Sequence, residues 1–282
     1  MTDSVLIVGH GSRDLNGNIE IEQFVDRLRI EQPDWRIELC FIEFADILIA
    51  EGLARAAQDA QRVIVVPLIL NAAGHVKMEI PAHIEHARTQ FPHCEFVYAP
   101  QLSACDEILN ILKRNLKKGL QALDMPDPTT TGVVLLGRGA SDRQANGEVA
   151  KMARWLQEDS RHERVDIAFT GITYPRLEKV IQSQIQLGMM QVVVLPYYLF
   201  TGTLMARIKR QVARLRLQYP NVHFYCGDYF GFEPEIFELV GKRVTQIDKP
   251  QFKMPCDGCK FRQFAQDHGQ GHDHSHENIQ SH

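Results

Sequence analysis

The chain has 282 residues, of which 44% are hydrophobic and 23% charged, and its formal net charge is −4. These values describe a globular chain long enough for two domains, and they give no reason to expect nucleic acid or a membrane surface as a partner. No apolar run approaches the roughly 20 residues of a membrane-spanning helix, and six scattered cysteines indicate reduced thiols, so a cytoplasmic protein is predicted.

The first predicted element is an apolar strand that ends at a histidine. Val5-Leu-Ile-Val8 runs directly into Gly9-His10-Gly11-Ser12, and a helical pattern follows. A strand buried on both faces and followed by a helix is typical of a parallel sheet. Because open α/β sheets bind ligands beyond the carboxyl ends of their strands, His10 is a candidate site residue.

The next two predicted strands also end near ligand-type residues. Glu43 lies just past the second strand, and His75 lies past the third, at the start of a loop and helix. Two imidazoles and one carboxylate at adjacent strand ends predict a divalent-metal site with open positions, and the imidazoles could also accept protons near neutral pH. Taken singly, each histidine fits a structural role equally well, and Glu43 alone fits a solvated carboxylate better.

The second half of the chain repeats the first at an offset of 128 residues. Val133-Val-Leu-Leu-Gly137-Arg138-Gly139 is a near-copy of the first strand and its turn, and the apolar positions of the helices and later strands follow at the same offset. An internal repeat of one domain length indicates a tandem duplication. In each half four strands alternate with four helices, which predicts an α/β fold with two parallel four-stranded sheets flanked by helices.

The domain boundaries follow from this repeat and from composition. We predict an N-terminal domain over residues 1–123, a Pro/Thr-rich linker over 124–132 and a second domain over 133–247. A flexible C-terminal tail is predicted over residues 248–282.

The second half lacks all three candidate ligands. The positions equivalent to His10, Glu43 and His75 hold Arg138, Gly171 and Thr203, while the surrounding apolar framework persists. A structural role for each residue gives no reason for joint loss. A shared metal site, kept in one half only, explains it.

These residues resemble the sirohydrochlorin cobaltochelatase/ferrochelatase family. The resemblance rests on the Gly-His-Gly-Ser-Arg motif, Glu43, the Pro67-Leu-Ile-Leu…Gly74-His75-Val76 segment and the degenerate second copy. It implies the long form, with two chelatase-like domains, in which His10 and His75 are catalytic and bind the metal together with Glu43. The implied substrates are a tetrapyrrole and a divalent metal, Co²⁺ with Fe²⁺ or Ni²⁺ as alternatives.

The tetrapyrrole carries many carboxylates, so cations are expected around it. Arg13, Lys77, Arg138 and Arg207 lie near predicted strand ends, and arginine is well suited to paired contacts with carboxylates. An ordinary surface position explains each of them equally well.

The tail contains a separate group of candidate metal ligands. Cys256 and Cys259 form a Cys-x-x-Cys pair, and His272, His274 and His276 follow within 20 residues. They are candidates for an iron–sulfur cluster, which would need further ligands, or for a store of cobalt or nickel. The competing interpretation is an unstructured solubilising tail.

We therefore predict a sirohydrochlorin cobaltochelatase, a lyase that inserts Co²⁺ into sirohydrochlorin in cobalamin biosynthesis. The alternatives are a sirohydrochlorin ferrochelatase in sirohaem biosynthesis and a non-catalytic metal carrier that uses the same histidines. Whether the chain forms a homodimer is left open.

Overall fold

The computed structural model describes residues 3–123, 126–249 and Met254, and it confirms the predicted α/β fold. Each half alternates strands with helices. The first half comprises β1 (Asp3–Gly9), α1 (Leu15–Glu31), β2 (Arg36–Phe41), α2 (Ile49–Ala57), β3 (Arg62–Pro67), a π-helical turn (His75–Glu79), α3 (Ile80–Gln90), β4 (Glu95–Tyr98) and α4 (Asp106–Gln121). The second comprises β5 (Thr131–Gly137), α5 (Arg143–Ser160), β6 (Val165–Phe169), α6 (Leu177–Gln186), β7 (Gln191–Pro196), α7 (Thr203–Gln218), β8 (His223–Cys226) and α8 (Pro234–Thr245).

The order of the strands explains where the site lies. The first sheet has the order β2-β1-β3-β4 and the second has β6-β5-β7-β8, and all neighbouring strands are parallel. β1 is therefore flanked by β2 and β3, and Gly9 at its end pairs with Phe41 at the end of β2. The residues that follow β1, β2 and β3 consequently emerge side by side at one edge of the sheet.

A shared apolar core joins the two halves. Helices α1 and α4 from the first half pack with α5 and α8 from the second, and the buried side chains between them form one continuous cluster. At its centre the rings of Phe24 and Phe237 stack with their centroids 4.1 Å apart. The outer face of each sheet carries one further cluster, and the cluster on the first sheet also includes Met254 from beyond α8.

The last helix of each half covers the sheet of the other half. Helix α4 packs against β7, and Gly119 of α4 lies directly beside Val193 and Tyr225. Helix α8 packs against β3, and its Arg243 guanidinium donates hydrogen bonds to the carbonyl oxygens of Pro100, Gln101 and Leu102. This exchange makes each sheet depend on a helix from the opposite half.

Beyond α8 the structure describes Met254, whose side chain is buried and whose backbone N–H donates to the Tyr98 carbonyl at 2.9 Å. The candidate ligands of the tail, Cys256, Cys259, His272, His274 and His276, lie outside the described residues. Within the described residues, the helices are too short or too polar to cross a membrane.

Substitution of Gly119 tests whether α4 packs on the second sheet. A Cβ atom there would lie 2.7 Å from the Tyr225 ring and 3.0 Å from Val193, whereas a Cβ at Gly241 of α8 would meet nothing within 4 Å. Gly119→Ala should therefore lower the free energy of unfolding by roughly 1 kcal/mol, because overpacking outweighs the gain in helix propensity.

The matched variant Gly241→Ala should raise that free energy by about 0.5–1 kcal/mol, since only the helix propensity changes. Urea unfolding followed by circular dichroism measures both values. Equal stabilisation by the two substitutions would contradict the packing of α4 on the second sheet.

Candidate active site

Three candidate ligands converge at the carboxyl edge of the first sheet. One ligand atom from each of His10, Glu43 and His75 lies within 4.8 Å of the other two. The two imidazole rings meet edge to face with centroids 5.0 Å apart. The side chains of His10, Glu43 and His75 are 28%, 34% and 29% exposed, respectively, so the group is half-buried and open on one side. Such a set can hold a divalent ion and leave coordination positions for a second molecule.

The turn after β1 fixes His10 close to Glu43. Gly11 has a φ of +86°, and a Cβ atom at this position would lie 1.7 Å from the Glu43 carbonyl oxygen. The Glu43 N–H donates to the His10 carbonyl at 3.2 Å. Only glycine permits both the left-handed backbone and this close approach, so Gly11 holds the ends of β1 and β2 together.

Asn18 ties the same two loops together and is absent from the sequence-based prediction. Its amide nitrogen donates to the carbonyl oxygens of Ser12 at 3.1 Å and Phe44 at 2.9 Å, and its amide oxygen accepts from the Ser12 N–H at 2.8 Å. The repeat carried a signal for this role. Asn146, at the same offset of 128 residues, bridges the N–H and carbonyl of Ala140 in the same way.

His75 opens the π-helical turn that leads into α3. The second half begins α7 at the equivalent residue, Thr203, as an ordinary α-helix. Beneath the π turn the buried Tyr98 hydroxyl donates to the Val76 carbonyl at 2.8 Å, which satisfies a backbone group in the widened turn. π turns are frequent at functional sites because they redirect side chains, and this one directs His75 towards His10.

Glu79 orients His75 and was also missed by the sequence-based prediction. Its Oε2 lies 2.6 Å from His75 Nδ1, which raises the pKa of His75 above its usual range, with burial opposing the shift. A carboxylate on Nδ1 fixes the ring and leaves Nε2 for a metal ion. The spacing of four residues within a helix was the available signal.

His10 has the opposite electrostatic environment. Burial lowers the pKa of His10, and the positive charge of Arg138 lowers it further, while the nearby Glu43 carboxylate offsets only part of this. His10 Nδ1 lies 3.1 Å from the Gly11 carbonyl and Nε2 lies 3.1 Å from Arg138 Nη1. These contacts correspond to a neutral imidazole with its proton on Nδ1.

The second half supplies the opposite wall of the site. Arg138 at the end of β5 reaches His10, and Lys77 from the π turn pairs with Asp142 and donates to Gln144 Oε1 at 3.0 Å. The charge of Lys77 is therefore already balanced by a carboxylate, unlike that of Arg138. A third predicted cation, Arg13, is exposed, and its guanidinium carbon lies 4.9 Å from the centroid of the Phe44 ring.

A cavity of about 380 Å³ in the second half is bordered by Gly171, the residue equivalent to Glu43. It is lined by Phe169, Thr170, Gly171, Arg176, Glu178, Arg207 and Gln211. Arg207 stands at the position equivalent to Glu79, so an acid in the first half is replaced by a base. Arg176, a further residue that the sequence-based prediction missed, has a buried Nη1 atom without a hydrogen-bond partner. The cavity therefore suits an anion.

A family comparison matches both halves of the chain. The model of the CbiX family matches residues 4–119 and again 132–247. The chain is 37% identical to the sirohydrochlorin cobaltochelatase of Priestia megaterium over 94% of its own length and 86% of that protein. It is 30% identical to the sirohydrochlorin ferrochelatase of Bacillus subtilis (strain 168), over 87% and 92% of the two chains.

A solved structure shares the fold along most of the chain. It is that of the sirohydrochlorin chelatase SirB from Bacillus subtilis subspecies spizizenii in complex with cobalt, with a TM-score of 0.74 and 28% identity. The match covers 90% of this chain and 99% of that one.

The opposite pKa shifts of the two histidines give a direct prediction. In the metal-free protein His75 should lose its proton at a pH above the usual value of about 6.5, and His10 at a pH below it. Glu79→Gln should lower the pKa of His75, because the amide cannot stabilise the imidazolium by charge. Titration of the histidine ring protons by NMR, assigned with single His→Ala variants, measures these values.

Glu85→Gln is the matched control, since Glu85 lies on α3 and pairs with Arg88. It should leave the pKa of His75 unchanged. A His75 that titrates at the same pH in the Glu79 variant and in the unsubstituted protein would refute the role of Glu79.

Proposed function

The chain belongs to the CbiX family, and from that premise we propose that it is a sirohydrochlorin cobaltochelatase, which inserts Co²⁺ into the tetrapyrrole sirohydrochlorin on the path to cobalamin. The observation that carries this proposal is the convergence of His10, Glu43 and His75 at an open edge opposite a cationic wall. In this arrangement the ligand group can bind a metal ion, and the cationic wall can bind the carboxylates of the macrocycle.

Cobalt is preferred to iron on the basis of similarity. The chain is more similar to the cobaltochelatase of Priestia megaterium, at 37% identity, than to the ferrochelatase of Bacillus subtilis, at 30%. Two imidazoles and a carboxylate also accept Fe²⁺ and Ni²⁺, so the ligand set does not discriminate strongly. Insertion of Fe²⁺ for sirohaem is therefore the second candidate function.

The metal ion is a substrate that the protein must both capture and release. His10, Glu43 and His75 replace part of its water shell, and the Glu43 carboxylate offsets part of its charge. Three protein ligands on one side leave the opposite side for the pyrrole nitrogens of the macrocycle. The ion can then pass from imidazole nitrogen to pyrrole nitrogen without returning to bulk water.

Insertion also requires that two pyrrole protons leave the macrocycle. As the ion departs, each imidazole Nε2 regains a free lone pair, which can accept one proton. Glu79 stabilises the protonated form of His75, so this residue is the stronger proton acceptor at neutral pH. In this scheme the two nitrogens that release the metal also receive the protons.

The second half binds the carboxylates of the macrocycle. Arg176 and Arg207 line the cavity of the second half, and neither takes part in an ion pair within the ranges 3–123 and 126–249. Guanidinium groups form paired hydrogen bonds with carboxylates. Glu178 also lines this cavity, but its carboxylate accepts a hydrogen bond from Gln211 at 2.8 Å.

Several finer predictions accompany this proposal. The four cysteines within the described residues are free thiols, which fits a reducing cytoplasm. Binding of a cluster or of stored metal by Cys256, Cys259 and the tail histidines stays a prediction, as does a homodimer. The domain boundaries at residues 123, 133 and 247 also stay predictions.

Metal insertion can be followed by the change in the absorption spectrum of sirohydrochlorin. With Co²⁺ under anaerobic conditions the protein should accelerate insertion above the uncatalysed rate, and the His10→Ala, His75→Ala double variant should lose that acceleration. A faster rate with Fe²⁺ would identify a ferrochelatase instead. Tight metal binding without acceleration by either ion would refute the enzyme and leave a metal carrier.

Arg176→Met and Arg207→Met should each raise the KM for sirohydrochlorin by roughly 10- to 100-fold, because each removes a charged hydrogen-bond donor worth about 1.5–3 kcal/mol. The affinity for Co²⁺ alone should stay nearly constant. Arg154→Met is the control, because Arg154 is exposed on α5 and paired with Glu158. An unchanged KM in both cavity variants would exclude this cavity as the carboxylate site.

A further inference from the structure

Both ring nitrogens of His10 are already engaged. The Nδ1 atom lies 3.1 Å from the Gly11 carbonyl oxygen, and the Nε2 atom lies 3.1 Å from Arg138 Nη1. A carbonyl oxygen can only accept and a guanidinium can only donate, so Nδ1 carries the proton and Nε2 presents its lone pair to Arg138. The lone pair needed for a metal ion is therefore used by an arginine of the other half.

A metal ion and Arg138 cannot both occupy this position. The lone pair on Nε2 serves one partner at a time, and the guanidinium keeps its positive charge at all accessible pH values. We propose that Arg138 is a displaceable cap on the metal site, and that a carboxylate of the tetrapyrrole removes it. This inference deepens the proposed chelatase function and rests on it for the identity of the displacing anion.

The surroundings of Arg138 leave it free to be displaced. Its side chain is exposed, and no carboxylate pairs with it in the part of the chain that the structure describes. A neutral imidazole is a weaker partner for a guanidinium than a carboxylate, which offers two charged acceptors in matching geometry. Lys77 provides the contrast, because Asp142 already holds it across the same boundary.

The position of Arg138 in the repeat supports this role. It occupies the place of His10 in the second half, on the same glycine-flanked turn after the first strand. The two turns face each other, so the residue that replaced a metal ligand now contacts the remaining one. The positive charge of its guanidinium disfavours binding of a metal ion at His10 until an anion binds the guanidinium and moves it away.

The consequence is positive coupling between the two substrates. A bound macrocycle that holds Arg138 through a carboxylate uncaps His10 and strengthens metal binding. By thermodynamic linkage, a bound metal ion strengthens macrocycle binding by the same factor. The protein would then load its metal mainly when the acceptor is present.

The first test measures Co²⁺ affinity in the full-length protein without a macrocycle. Calorimetric titration of Arg138→Met should show roughly tenfold tighter binding at the site that His75→Ala abolishes, because the competing charged hydrogen bond is gone. Arg207→Met removes the same charge from the same wall without a contact to His10, so it separates the cap from a general charge effect. Equal affinities in these two arginine variants would overturn the proposal.

The second test adds a macrocycle that cannot accept the ion. The zinc complex of uroporphyrin is a polycarboxylate whose ring nitrogens already hold a metal. With this probe at saturation, the unsubstituted protein should bind Co²⁺ several-fold more tightly, and Arg138→Met should show no further gain. The same gain in both proteins, or no gain in the unsubstituted protein, would refute displacement of the cap by a carboxylate.

Failure of the proposed function gives a different pattern. In one outcome the protein fails to insert metal into sirohydrochlorin while Arg138→Met, but not Arg207→Met, binds Co²⁺ more tightly and the effect of the probe depends on Arg138. That result supports the role of Arg138 as a cap and refutes the assignment as a chelatase. If insertion is accelerated and Arg138→Met binds Co²⁺ no more tightly than Arg207→Met, the chelatase stands and the cap is refuted.

Discussion

The site depends on the exchange of helices between the two halves. Because α4 covers the second sheet and α8 covers the first, neither sheet can fully bury its inner apolar face without the other half. The shared core sets the carboxyl edges of the sheets opposite each other, and His10 and Arg138 meet across that boundary. Under the proposed function, a metal ion held by residues of one half is presented to a surface made by the other.

The two halves share the same backbone framework but have side chains of different charge at equivalent positions near the site. The turn after the first strand has the same left-handed glycine in each half, at Gly11 and Gly139. Around these matching frameworks the first half has imidazole and carboxylate groups, whereas the second has arginines at the positions equivalent to His10 and Glu79. A homodimer of identical domains would present the same charge on both walls. Under the proposed function, divergence within one chain provides a wall for the metal ion and a second wall for the carboxylates.

Much of the fold and part of the site could be predicted from local patterns. Apolar strands that end at His10 and Glu43, together with parallel topology, were sufficient to place these residues at one edge. The helix exchange could not be predicted, because it depends on packing between residues far apart in sequence. Asn18 and Glu79 were missed because their roles are contacts to neighbouring loops and rings, although repeat offset and helical spacing carried weak signals.

The electrostatic difference between the histidines suits a site that must release its metal. A buried imidazole whose Nδ1 faces a neutral backbone carbonyl, as in His10, has reduced basicity and is a weaker metal ligand. An imidazole supported by a carboxylate, as in His75, is a stronger ligand and a stronger base. Two ligands of the second kind would stabilise the bound ion before transfer, and such ground-state stabilisation does not accelerate insertion. One weak and one strong ligand allow the ion to leave stepwise, with the better proton acceptor released last.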